Sequence, residues 1–160
     1  GGWMIAGTAV FGHSGQVANL NYALVCDERW ASSLATITGW IGPKDFHMTI
    51  ERDRDKHWCV DGEKIHVPSG LQDIDLGFTP ASNTIAIRRL SLSVGEQAET
   101  VALWLDTDDW TVKPLRQRYR CIENNVFGYS SPQHDYHATL TVNDFGVVTD
   151  YPELWAMVNQ

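Results

Sequence analysis

Cysteine, basic residues and long apolar runs are all scarce in this chain of 160 residues. Cys26, Cys59 and Cys121 are odd in number and far apart, so they do not form a disulfide framework and are typical of a reducing cytoplasm. Twelve basic residues against 20 acidic ones give a formal net charge of −8, which argues against a nucleic-acid partner. We therefore predict a cytoplasmic protein that does not bind nucleic acid.

Segments for targeting and motifs for common chemistries are also absent from the sequence. No run approaches the length of a transmembrane helix, and residues 1–6 lack the basic and apolar regions of a signal peptide. The sequence contains no GxSxG elbow, P-loop, CxxC or HExxH motif, which leaves nucleophilic, nucleotide and zinc chemistry without support. We predict no metal, no cofactor and no transmembrane segment.

What the chain does have is a series of short runs in which apolar and polar residues alternate. Turn residues interrupt these runs about every eight to twelve positions, a spacing typical of an all-β sandwich or barrel. We predict one domain over residues 1–160, with a short C-terminal helix that Asp150 caps and Pro152 begins. The strands expected outside residues 73–90 are 3–11, 17–26, 31–41, 46–52, 57–60, 64–67, 98–106, 115–123, 126–130, 136–142 and 147–150.

Residues 73–90 predict a β-hairpin that carries acids on its first strand and arginines on its second. A polar loop at 79–84 separates two alternating apolar runs, and pairing Phe78 with Ile85 places Asp75 opposite Arg88. A carboxylate facing a guanidinium either fixes the register as a salt bridge or, inside a cleft, contacts a polar ligand. Both interpretations of the pair stay open at this stage.

The same segment resembles the signature of a bacterial glycolipid-binding family that was formerly a domain of unknown function. Ser82 stands where the family pattern D-[IV]-D-L…T-P…T-N-T-L-P-I-R-R-L has Thr, and Ala86 stands where it has Pro. Later elements of the family are matched by Gln117-Arg118-Tyr119, by residues 144–148 and by Tyr151-Pro152. The matching signature positions are Asp73, Asp75, Leu76, Thr79, Pro80, Asn83, Thr84, Ile87, Arg88, Arg89 and Leu90.

This resemblance implies an antiparallel sheet in the form of an open barrel or half-barrel, similar to bacterial lipoprotein carriers that shelter acyl chains. It also implies that the ligand is a glycolipid-like amphiphile with a sugar or anionic head group. Members of the family usually start further upstream, so we expect a leading strand to precede Trp3 and interpret Gly1-Gly2 as a cloning remnant.

The candidate ligand-binding residues divide between the two ends of such an amphiphile. We expect aromatic and aliphatic side chains to hold the tail, with Trp58 and Trp104 as candidates among the seven tryptophans. On the strand at 115–123, Arg116, Arg118 and Arg120 form a basic strip that suits either solvent or an anion, and the alternate residues point inward. The residues expected to contact the head group are Asp73, Asp75, Arg88, Arg89, Gln117 and Tyr119.

Two other functions compete with non-catalytic binding. Asp73 and Asp75 lie two residues apart on one strand face, so a hydrolase acting on glycoconjugates could use them as its acid and base. A module whose exposed strand edges pair two chains would instead form a homodimer. The sequence favours the binding protein, because carboxylates in pockets bind more often than they catalyse.

Overall fold

The computed structural model describes residues 1–158, and it is mostly β, with 58% of the chain in strands. The chain divides into two compact units, one ending at Ser69 and the other starting at Gly70. Each unit contains one sheet, so the expectation of a single sheet is wrong. That residues 1–160 act as one domain stays a prediction.

The first unit is a six-stranded antiparallel meander whose strands follow one another in chain order. Its first four strands lie within two residues of the predicted positions, because alternation along each strand gives one face that is buried. This sheet is not a barrel. Its strands are β1 (Trp3–His13), β2 (Gln16–Cys26), β3 (Ser32–Ile41), β4 (Lys44–Arg52), β5 (Trp58–Val60) and β6 (Glu63–Lys64).

The second unit contains a seven-stranded half-barrel sheet, which agrees with the predicted open architecture. Its neighbouring strands are antiparallel except for the first two, which are parallel. The elements are β7 (Asp73–Leu76), α1 (Ala81–Leu90), β8 (Gln97–Asp106), β9 (Thr111–Glu123), β10 (Val126–Ser131), a 3-10 helix (Pro132–His134), β11 (Tyr136–Val142), β12 (Val148–Tyr151) and β13 (Trp155–Ala156).

The predicted hairpin at 73–90 is wrong, because only its first half is a strand. β7 pairs in parallel with β8, and parallel neighbours require a crossover connection, which α1 supplies. Ile85, Ala86 and Ile87 are all buried, whereas a strand would bury only alternate residues. Asp75 therefore does not face Arg88. The substitution of Ala86 for the family's Pro affects a helix interior, where Ala keeps the backbone donor that Pro lacks.

The predicted C-terminal helix is also wrong. Tyr151 ends β12, and the backbone N–H of Leu154 donates to its carbonyl oxygen at 3.0 Å, which closes a β-turn. Pro152 occupies the second position of this turn, and Glu153 occupies the third with φ +66°. Proline followed by a residue at positive φ is the pattern of a type II turn, so the chain reverses into β13 instead of starting a helix.

Candidate functional site

A pocket of about 320 Å³ in the second unit combines aromatic walls with polar groups. Asp75 comes from β7, Asn83 from α1 and Ser131 from the end of β10. An apolar pocket with a few converging polar groups is the usual form of a small-molecule site. Its ring-bearing residues are Trp104, Tyr129, His134, Tyr136, Tyr151 and Trp155.

The backbone approaches Trp104 closely at Gly77, directly after β7. The Gly77 N–H donates to the carbonyl oxygen of Leu105 at 3.1 Å. A Cβ atom at Gly77 would lie 2.6 Å from that oxygen and 2.9 Å from Nε1 of Trp104. Only glycine fits here without displacing the Trp104 indole. This indole forms part of the pocket wall.

Asp75 is held by two neutral hydrogen-bond donors. Its Oδ1 accepts from the Ser82 hydroxyl at 2.8 Å, and its Oδ2 accepts from Gln117 Nε2 at 2.6 Å. Gln117 also donates to the Tyr129 hydroxyl at 3.0 Å. The carboxylate is thereby oriented by groups from α1, β9 and β10, and a network of this kind makes the site rigid.

Burial raises the pKa of Asp75 above its ordinary value of 3.8. The hydrogen bonds from Ser82 and Gln117 oppose this rise, and the negative charge of Asp73 adds to it. Among the described residues Asp75 has no cationic partner within ion-pair distance. Its charge is therefore stabilised only by neutral dipoles.

Asp73, two residues earlier, has the opposite environment. Its carboxylate accepts two hydrogen bonds of 2.6 Å from the Arg89 guanidinium, and a third of 2.8 Å from the Thr100 hydroxyl. Both side chains are largely buried, with 3% of Asp73 and 16% of Arg89 exposed. This bidentate pair and the Thr100 hydroxyl join β7, α1 and β8, and they occupy three of the about four lone-pair sites of the carboxylate.

A second polar layer lies behind the pocket. Asn83 Nδ2 donates to the hydroxyl of the fully buried Tyr119 at 2.9 Å, and the Tyr119 ring lies 5.1 Å from that of Tyr129. Burial raises the pKa of both tyrosines, so both hydroxyls stay protonated. Gln117 and Tyr119 thus point inward, as alternation along β9 predicted, and Tyr119 supports the pocket residues from behind.

Ser131 contributes a hydroxyl that lacks a partner. The residue is 3% exposed and lines the pocket, yet its Oγ has no hydrogen-bond partner among the described residues. A buried polar atom without a partner is rare in folded proteins and costs about 1–3 kcal/mol. Because Ser131 lines the pocket, this hydroxyl is a candidate hydrogen-bond partner for a ligand.

The aromatic walls contain two sets of ring contacts. The ring of Tyr151 lies 6.5 Å from that of Tyr129 and 5.4 Å from that of Trp155, with interplanar angles of 62° and 77°. In the second set, Trp104 meets His134 edge to face at 5.3 Å. The sequence pointed to Trp104 but not to the tyrosines, His134 or Ser131, because no local pattern marks residues that only a curved sheet brings together.

The remaining predicted site residues lie elsewhere. Arg88 lies with its guanidinium 5.0 Å from the Phe145 ring, in a larger depression of about 560 Å³. Trp58 belongs to the first unit, where it is buried beneath the Arg52 guanidinium at 5.2 Å. On the outer face of β9, Arg118 pairs with Glu99, which supports the solvated interpretation of the basic strip.

One exposed loop of the first unit places three possible metal ligands together. The ligand atoms of Asp53, Asp55 and His57 lie within 4.8 Å of one another. Asp53 already accepts a hydrogen bond of 2.7 Å from the His57 backbone, and this bond is the main reason that the pKa of Asp53 is lowered. Two backbone hydrogen bonds close the same loop, from the Asp53 N–H to the His57 carbonyl at 2.8 Å and from the Lys56 N–H to the Asp53 carbonyl at 3.0 Å, so the loop conformation accounts for the closeness of these side chains.

Comparisons with known proteins agree with the sequence signature. A search of the curated proteins found no match. The chain is similar to a crystal structure of a DUF1089 family protein from Pseudomonas aeruginosa, with 27% identity and a TM-score of 0.84 over 98% of this chain and 92% of that one. No helix in residues 1–158 is long and apolar enough to cross a membrane. The sequence profile of the family described as "Putative glycolipid-binding" matches residues 1–157, and the chain belongs to this family.

Proposed function

We propose that this protein binds a glycolipid-like amphiphile and holds its sugar head group in the aromatic pocket of the second unit. The observation that carries the proposal is the placement of Asp75, Asn83 and Ser131 within walls made of tyrosine and tryptophan rings. Family membership supports a binding role at the level of the family.

The two kinds of pocket surface match the two kinds of surface on a sugar. Pyranose rings expose C–H groups on their faces, which pack against the faces of aromatic rings such as those of Tyr151 and Trp155. The hydroxyls at the ring edge need hydrogen-bond partners, which Asp75 and Ser131 can supply. A sugar would therefore replace water on both surfaces at once.

An apolar surface at the mouth of the pocket suits the start of an alkyl chain. Leu154 and Trp155 line the pocket while remaining 53% and 37% exposed. Met157, which follows on the same segment, is 51% exposed. Exposed apolar groups beside a pocket that also holds polar groups are typical of a surface that binds an amphiphile.

Hydrolysis has less support than binding. A glycosidase places two carboxyl groups about 5–10 Å apart on opposite sides of the sugar bond. Among the described residues, Asp75 is the only carboxylate that lines the pocket, and Asp73 is committed to Arg89. The homodimeric interaction module stays a prediction.

A binding measurement with a matched pair of tryptophan variants tests the proposal. Octyl β-D-glucoside below its critical micelle concentration is titrated into the protein by isothermal calorimetry. Trp155→Ala removes a ring contact worth about 0.5–1.5 kcal/mol, so we expect the affinity to fall roughly two- to tenfold. Trp40→Ala is the control, because Trp40 is similarly exposed, at 41%, and lies in the first unit.

The fate of the bound molecule separates binding from catalysis. We expect mass spectrometry to recover the glucoside intact after hours of incubation with the protein. No binding, or equal losses in the two variants, would contradict the proposed site, and release of free glucose would favour the hydrolase.

A further inference from the structure

The pocket offers a ligand negative charge and no positive charge. Asp75 lines it, whereas no lysine or arginine does so in the part of the chain that the structure describes. His134 also lines the pocket, but it is exposed and makes no ion pair with Asp75 in residues 1–158. An anionic head group would therefore meet a carboxylate without any compensating cation, which disfavours one of the two head groups expected from the sequence.

Asp75 is partly buried and differs from the two buried carboxylates of this unit, Asp73 and Asp106. A carboxylate removed from water is normally paired with a cation, as Asp73 is with Arg89 at 2.6 Å. Asp75 instead receives one N–H and one O–H, and each of its oxygens keeps a lone pair for a further donor. Burial raises the pKa of Asp75, and no neighbouring cation among the described residues opposes that rise.

The aromatic walls of the pocket and the Ser131 hydroxyl also favour a cationic ligand. The faces of tyrosine and tryptophan rings carry partial negative charge, and a cation within about 6 Å of such a ring is attracted to it. The Oγ of Ser131 can accept a hydrogen bond, and an ammonium group offers three donors and no acceptor. Carboxylate, hydroxyl and ring faces together are complementary to an ammonium ion.

Building on the proposed function, we propose that the head group carries a protonated amine, as in an amino sugar, which donates hydrogen bonds to Asp75 and Ser131 beneath the aromatic walls. The same pocket would then bind a cationic sugar head group more tightly than a neutral or an anionic one.

Three probes that differ at one substituent test this requirement. These are octyl β-D-glucoside, its 2-amino-2-deoxy analogue and its N-acetylated 2-amino analogue, each titrated below its critical micelle concentration while the free amine is protonated. We expect the amine to bind about tenfold more tightly than either neutral probe, since a shielded ion pair and a cation–π contact contribute together.

Charge-matched variants separate the pocket from the overall negative charge of the protein. Asp75→Asn keeps the side-chain shape and removes the charge, so we expect the amine to bind to this variant no more tightly than the two neutral probes do. Glu123→Gln removes one charge from an exposed residue at the end of β9, and we expect it to keep the preference for the amine. Ser131→Ala removes a hydroxyl without a partner, and we expect it to fold normally and lose about threefold in affinity for the amine.

The outcomes distinguish the inference from the function on which it rests. Equal affinity of the native protein for all three probes would overturn the amine requirement and leave glycolipid binding in place. A preference that survives in Asp75→Asn would also overturn it. Failure of every probe to bind the native protein would overturn the proposed function itself.

Discussion

At the scale of single residues, the two aspartates of β7 show how neighbouring groups of the same type acquire different roles. Asp73 lies beside Arg89 and Thr100, which together donate three hydrogen bonds to its carboxylate and make it a structural link. Asp75 lies beside Ser82 and Gln117, which orient the carboxylate and leave part of it open to the pocket. Both residues lie on the same face of β7, so the sequence alone does not distinguish them. Only their neighbours in the folded structure do.

The raised pKa of Asp75 predicts a specific pH dependence of stability. The native state holds the Asp75 proton more tightly than the unfolded state, whose pKa is near 3.8. Ionisation of Asp75 therefore lowers the free energy of unfolding as the pH rises from about 3.8 to the native pKa, by up to about 1.4 kcal/mol for each unit of elevation. Below pH 3.8 this loss is absent, and above the native pKa it is complete.

The variant Asp75→Asn isolates this contribution, since Asn cannot ionise. We expect the native protein to lose stability relative to the variant as the pH rises through this window, and the difference to level off above it. Urea denaturation at a series of pH values measures both proteins, and groups that titrate equally in the two cancel. A difference that stays constant with pH, or changes in the opposite direction, would contradict a raised pKa.

At the scale of elements, the strands could be predicted from the sequence, whereas the helical crossover α1 could not. Long alternating runs such as 17–26 have one buried face, and this period identifies them without knowledge of the fold. The run Ile85-Ala86-Ile87 is too short to separate a helix from a strand, because Ala is small enough to fit either face of a strand. The deciding factor was parallel pairing of β7 with β8, which is a property of distant residues.

The alternation that identifies the strands also predicted the orientation of some residues near the site. Alternation along β9 placed Gln117 and Tyr119 inward, and both take part in the network behind the pocket. The signature pointed to Asp75, but the hairpin interpretation gave it the wrong partner because it treated α1 as a strand. Tyr151 and Trp155 were missed, since a type II turn that folds the last strand back was interpreted as the start of a helix.

The end of α1 supports a prediction at this scale. Ser91 adopts a left-handed conformation with φ 47° and ψ 46°, and its backbone N–H donates to the carbonyl of Ile87 at 3.1 Å. Glycine adopts this conformation without the steric cost that a Cβ atom brings, about 1 kcal/mol. We therefore expect Ser91→Gly to raise the free energy of unfolding by roughly 0.5–1 kcal/mol, as measured by urea denaturation.

A nearby serine provides the control for this helix terminus. Ser93 is not among the described residues with positive φ, so glycine there gains no relief and only makes the unfolded chain more flexible. We expect Ser93→Gly to be neutral or destabilising. Equal effects of the two substitutions would show that the conformation of Ser91 is not strained.

At the scale of the whole molecule, the net charge of the protein opposes the membrane contact that the proposed ligand requires. An amphiphile that resides in a bilayer must be collected at the membrane surface, whereas a net charge of −8 repels anionic lipid. This repulsion extends over about 30 Å at 0.01 M salt and about 3 Å at 1 M. Salt should therefore determine how readily the protein reaches a bilayer.

Transfer of a fluorescent dodecyl glucoside from vesicles to the protein tests this expectation. We expect transfer from vesicles containing phosphatidylserine to be about tenfold slower than from pure phosphatidylcholine at 0.01 M salt, and the two rates to converge at 1 M. The phosphatidylcholine vesicles are the control, since their rates should change little with salt. Faster transfer from the anionic vesicles would contradict repulsion and would instead indicate docking through the basic strip of β9. In that case Arg118→Ala would slow transfer from the anionic vesicles. The ion pair between Arg118 and Glu99 argues against such docking, because Glu99 already neutralises the arginine.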